Sequence, residues 1–138
     1  MSRLLAVDYG LKRIGIAVTD PEQIIASPLT TVSPQEFIPF LKKYFEQENV
    51  STVVMGFPAD VDAKKDIVVE IKKMYQVLLT TFPEKKIELY DERYTSKIAF
   101  YALRNFDKKI KTQKENLDKM SAAVLLESYM NSLKFKKI

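Results

Sequence analysis

The chain has 138 residues, 46% of them hydrophobic, with a formal net charge of +4. That length suits one domain, expected to span residues 1–138, with enough apolar surface for a core. Cysteine and histidine are both absent, which excludes disulfides, thiolate zinc sites, cysteine nucleophiles and every histidine-based triad.

Residues 3–8, RLLAVD, read as a buried strand, and residues 13–20, RIGIAVTD, as a second. The Tyr9-Gly10-Leu11-Lys12 connection suits a hairpin. Residues 23–32 predict a weaker third strand, interrupted by Pro28. Ser33 reads as a helix N-cap, with Pro34 at the first helical position and Glu36 completing a capping box. Phe37, Phe40, Leu41, Tyr44 and Phe45 then recur at helical spacing, and Pro39 should bend the first turns. Residues 51–56 predict a short strand ending at Gly56-Phe57-Pro58, and residues 59–66 a polar loop. Ile67, Ile71, Met74, Leu78 and Phe82 mark one face of a long helix, with Pro83 just after it. Residues 86–91, KIELYD, predict the next strand. Thr95 can cap a helix through Arg104, residues 105–117 read as a lysine-rich loop, and a last helix runs from Asp118 to Leu133. The order β-β-β-α-β-α-β-α-α indicates an α/β fold with a mixed five-stranded sheet flanked by helices. There is no apolar run of membrane-spanning length, and the N-terminus lacks the pattern of a signal peptide, so a cytoplasmic protein without a membrane partner is expected.

Without thiolate or imidazole, any metal must be held by oxygen, which favours magnesium or manganese over zinc. Asp8 ends an apolar strand, where a carboxylate is costly unless it is paired or bound to a cation. That end of an open α/β sheet is also where ligands bind; the alternative is a turn aspartate bonded to the hairpin backbone. Asp91 and Glu92 close the fifth strand. Alternation puts Glu92 with Tyr90 and Glu88, and Asp91 with Leu89, and does not choose between the two acids. Asp118 begins a helical stripe continued by Ala122, Leu125 and Tyr129, so its carboxylate should point toward the sheet; the alternative is an N-cap. Three converging carboxylates would repel and take up protons unless a cation neutralised them. Two divalent ions roughly 3.5–4 Å apart can activate water and stabilise the leaving oxygen of a phosphodiester.

The segments VDYGLKRIGIAVTD, VVMGFP, YDERYTS and LDKMSAAVLLESY, in this order and spacing, resemble the YqgF family over nearly the whole chain. That family is also called Holliday junction resolvase-like, or pre-16S rRNA nuclease. The resemblance implies a ribonuclease H-like fold related to the RuvC resolvases. It also implies a bacterial cytoplasmic nuclease, a hydrolase of ester bonds, proposed to process the 5′ end of the small-subunit ribosomal RNA precursor during ribosome biogenesis. Carried over by motif, Asp8, Glu92 and Asp118 become the catalytic, metal-holding acids, which favours Glu92 over Asp91. The cofactor implied is Mg2+ or Mn2+. Lys12, Arg13, Arg93, Thr95 and Ser96 would contact nucleic acid and orient phosphate, although Arg93 can instead pair with Asp91. Family members often read GLPLNMDG where this chain reads GFPADVDA. They also carry a glycine in the loop matching 105–117, whereas this chain has none after Gly56. The lysines of that loop, Lys108, Lys109 and Lys111 among them, can follow a nucleic-acid backbone or form only a solvated face.

Three other readings stay open at this level. A Holliday junction resolvase acting on branched DNA would need a dimer to place two cuts symmetrically, and the sequence leaves monomer and homodimer equally open. An aspartate followed by a glycine hairpin also opens the phosphate-binding motif of actin-like ATPases, but those bind ATP between two such domains. A nucleic-acid-binding module without hydrolytic activity is the third, and the presence of all three acids argues against it.

Overall fold

Alternation along β1 (Arg3–Tyr9) sends Leu5, Val7 and Tyr9 to one face of a sheet and Leu4, Ala6 and Asp8 to the other. Both faces are covered, which is why the strand reads as an unbroken apolar run rather than an alternating one. The computed structural model describes residues 1–58, 65–91 and 114–136, with side chains of the last segment described from 118 to 134. The remaining elements are β2 (Ile14–Thr19), β3 (Ala26–Val32), α1 (Pro34–Gln47), β4 (Val50–Phe57), α2 (Lys65–Thr81), β5 (Lys86–Asp91) and α3 (Lys114–Lys136).

The five strands form one sheet in the order β3-β2-β1-β4-β5. β1 pairs antiparallel with β2, and β2 antiparallel with β3. On its other side β1 pairs in parallel with β4, which pairs in parallel with β5. The mixed five-stranded sheet expected from the sequence is therefore present, with β1 at its centre. One face carries the core of Leu5, Val7, Ile14, Ile16, Val53, Met55 and Ile87 against Phe37 and Leu41 of α1 and Ile71 and Leu78 of α2. The opposite face carries Leu4, Ala6, Ala17 and Val54 against Ala122, Leu125, Leu126 and Tyr129 of α3.

Local signals explain most boundaries. Ser33 caps α1, accepting from the Glu36 amide while the Glu36 side chain returns to the Ser33 backbone. Those bonds hold the Glu36 carboxyl below its ordinary range. Gly10 is required by crowding, since a Cβ there would lie 2.4 Å from the Arg13 carbonyl oxygen.

The starts of β3, α2 and α3 differ from expectation by more than one residue. β3 begins at Ala26 rather than residue 23, because Asp20 Oδ1 accepts from the amides of Ile24 and Ile25 at 2.8 Å each and closes a turn there. Pro28 does not break β3, which is an edge strand where a missing amide is tolerated, and the register with β2 shifts beside it. α2 already includes Lys65 and Asp66, and α3 begins at Lys114, one turn before Asp118. Lysine and glutamate are good helix formers that give no apolar period, so a polar first turn reads as loop. The helix expected over 95–104, the rest of the 105–117 loop and most of the 59–66 loop lie outside the described residues.

Candidate active site

The register of the β1–β2 hairpin fixes the first half of the site. Asp8 pairs directly with Gly15 across the ladder. Paired residues share a face, and for this pair it is the face covered by α3, since Ala6 and Ala17, one step back on each strand, lie in the core beneath that helix. Asp8 is half-buried at the end of β1. It thus stands at the carboxyl edge shared by the parallel strands β1, β4 and β5.

Gly15 brings the backbone of the second acid to the same place. A Cβ built on it would lie 2.1 Å from the carbonyl oxygen of Asp118 and 2.8 Å from the amide nitrogen of Lys119. The α3 backbone therefore rests on the residue paired with Asp8. Asp118 lies one turn inside α3, so the N-cap alternative is set aside. Its side chain, 31% exposed, accepts a hydrogen bond at 3.0 Å from Arg13 Nε. Ala122, Leu125 and Tyr129, which continue its stripe, are buried against the sheet as expected.

The hairpin also carries two cationic candidates. Arg13 is engaged with Asp118, whereas Lys12 stands exposed at the tip. Asp91 faces away from Asp8: it lies two residues from Leu89 and four from Ile87, and Ile87 packs into the core under α1 and α2. Tyr90 belongs to the α3 face. Glu92, Arg93, Thr95 and Ser96 lie outside the described residues. Among the described residues no group of three acids able to hold a metal occurs.

Glu88 is a further acid on the α3 face, and its work is structural. It accepts a hydrogen bond from the Tyr129 hydroxyl and pairs with Lys86 Nζ at 3.0 Å. The Tyr90 hydroxyl lies 2.9 Å from Ser128 Oγ, and the Tyr90 and Tyr129 rings meet edge to face with centroids 5.6 Å apart. These contacts hold α3 against β5 and so help locate Asp118. Burial, followed by the bond and charge of Glu88, pushes the Tyr129 hydroxyl well above the ordinary tyrosine value of 10.0. A group whose ionisation is raised by folding contributes stability below its unfolded value and loses it as pH climbs through the folded one. Burial raises Tyr9 and Tyr44 as well, so melting temperature should fall at alkaline pH above about 10. Tyr129→Phe should fall less steeply over that range. Parallel curves for the two proteins would show that Tyr129 is not the titrating group.

Sequence reasoning did not single out Gly15 or Glu88. For Gly15 a signal existed, because an isolated glycine between strand residues such as Ile14 and Ile16 marks a bulge or a close backbone approach. Glu88 gave none, since an acid in an alternating strand reads as solvent-facing.

Comparison with known proteins identifies the fold and the family. Residues 2–132 match the family described as RuvX, Holliday junction resolvase. A protein of Amoebophilus asiaticus named "Putative pre-16S rRNA nuclease" is 48% identical over 137 residues, 97% of each chain. One of Flavobacterium psychrophilum with the same name is 41% identical over 133 residues, 94% of this chain and 97% of the relative. Among solved structures, Thermus thermophilus RuvC in complex with a Holliday junction substrate superposes with a TM-score of 0.61 at 14% identity, over 97% of this chain and 96% of that one. That likeness is one of fold, and it makes the architecture ribonuclease H-like. With a match that runs almost end to end and near-half identity to a curated relative, this chain belongs to the RuvX family, the YqgF family of the sequence motifs.

Proposed function

We propose that the protein is a cytoplasmic nuclease that hydrolyses phosphodiester bonds in the 5′ region of a small-subunit ribosomal RNA precursor. The observation that carries this reading is that the backbone of Asp118 packs on Gly15, the ladder partner of Asp8, at the carboxyl edge of the parallel strands. Glu92 is the third acid of the proposal, two residues beyond Tyr90, whose ring belongs to the same face as Asp8. The donors fit a hard divalent cation: they are carboxylate oxygens, in a chain without cysteine or histidine. Asp8, Glu92 and Asp118 would hold it. When bound, such an ion supplies Lewis acidity toward phosphate and water. Arg13 and Lys12 offer donors to phosphate oxygens beside the acids, as do Arg93, Thr95 and Ser96 in this reading, and these contacts fix the backbone relative to the carboxylates.

The names of the curated relatives favour RNA. The family's description favours a second reading, a resolvase acting on branched DNA. Cleavage of a labelled precursor RNA fragment, a DNA duplex and a four-way DNA junction, each with Mg2+, Mn2+ or chelator, separates them. The expected result is metal-dependent cutting of the RNA, lost with chelator. Paired cuts in the junction by a dimer would select the resolvase, and binding without cleavage under every condition would defeat both.

A further inference from the structure

We infer that Gly15 is a positioning residue for the active site, and that its missing side chain sets how closely Asp118 approaches Asp8. This rests on the proposal that the two acids work together, although its test below does not require that they bind metal or cleave anything. None of the glycines adopts a positive φ, so the reason for glycine at this position is space and not backbone conformation. The space is specific. A Cβ on Gly15 would meet the Asp118 carbonyl oxygen at 2.1 Å, its carbonyl carbon at 2.3 Å and the Lys119 nitrogen at 2.8 Å. All three are backbone atoms of a helix that cannot rotate aside as a side chain would. Because Gly15 is the ladder partner of Asp8, any lift of α3 at this point moves Asp118 away from Asp8. Farther along, Ala122 and Ala123 of the helix share a buried core with Ala6 and Ala17 of the sheet. The contact at Gly15 thus lies at the end of the interface where the two acids stand, and a lift there changes the site before it changes the core.

The absence of native cysteine allows the spacing to be read directly. In the double variant Asp8→Cys/Asp118→Cys the two thiols should bind one Cd2+ ion together. Thiolate-to-metal absorption should then saturate at one ion per chain, far more tightly than in either single variant. Adding Gly15→Ala should weaken that binding by about tenfold or more, a loss of about 1.4 kcal/mol or more. Leu133→Ala, which trims the far end of the same helix–sheet core, should lower the melting temperature and leave Cd2+ binding unchanged. If Gly15→Ala does not fold, Ala17→Val is the milder wedge under the same helix, and a smaller loss in the same direction is expected. Unchanged Cd2+ binding in the folded wedge variant overturns the assignment. So does a loss matched by Leu133→Ala, which would make Gly15 merely structural. If the thiol pair behaves as expected while the native protein neither binds Mn2+ nor cleaves RNA, the nuclease proposal fails and the positioning role of Gly15 stands.

Discussion

Asp8→Asn is expected to lower the rate of RNA cleavage by roughly a thousandfold or more, a loss of about 4 kcal/mol of transition-state stabilisation, while the protein stays folded. The substitution keeps the size and shape of the side chain and removes its charge. If Asp8 gathers cations at the edge of the sheet, that charge is the part that matters, and the loss should appear at saturating substrate. Stability should move little, or slightly upward, in metal-free buffer, because one of two neighbouring negative charges is gone. The gain is limited by Arg13, which already balances Asp118 at 3.0 Å. Asp118→Asn should differ in this respect. It too should slow cleavage severely, but it also breaks the Arg13 ion pair, so its melting temperature should not rise. Single-turnover cleavage and thermal melts on the two variants provide the check. Undiminished cleavage by Asp8→Asn would remove Asp8 from the chemistry, and a collapse of its fold would make Asp8 a structural residue.

What could be read from the amino acids divides along a physical line. The sheet was legible because Leu4 to Val7, Ile14 to Val18 and Val53 to Met55 are apolar at consecutive positions, a pattern that only strands covered on both faces tolerate at that length. The start of the first helix was legible to the residue, because Ser33 and Glu36 must sit three apart to satisfy each other. The start of α3 was not, since Lys114 to Leu117 lack the apolar period that announces a helix, and what places this turn is the packing of the buried stripe that follows. The face taken by Asp91 needed the sheet: once Ile87 is seen under α1 and α2, alternation carries Asp91 to the face opposite Asp8. The partnership of Arg13 with Asp118 spans 105 positions in the chain and could not be inferred from local spacing. Arg13 was expected to address phosphate, and its engagement with an acid of the site adds a second demand on the same guanidinium.

That double demand yields an expectation with opposite signs for binding and catalysis. Arg13→Met should tighten Mn2+ binding and slow RNA cleavage. Asp118 and Arg13 are each about one-third exposed, and a partly exposed ion pair contributes on the order of 1 kcal/mol or less. Releasing Asp118 from that pair, and removing a positive charge near the cation site, should therefore tighten Mn2+ binding by up to about fivefold. The same change removes a donor to phosphate, and a charge-assisted hydrogen bond contributes about 1.5–3 kcal/mol, or roughly a tenfold to hundredfold loss in rate. A variant that was merely destabilised would lose both properties together, so the opposed signs separate the two explanations. Mn2+ titration followed by electron paramagnetic resonance, with single-turnover cleavage at saturating metal, measures each arm. Weaker Mn2+ binding by Arg13→Met would mean that the guanidinium holds Asp118 in place for the ion instead of competing with it. A cleavage rate equal to wild type would mean that phosphate is oriented by other residues.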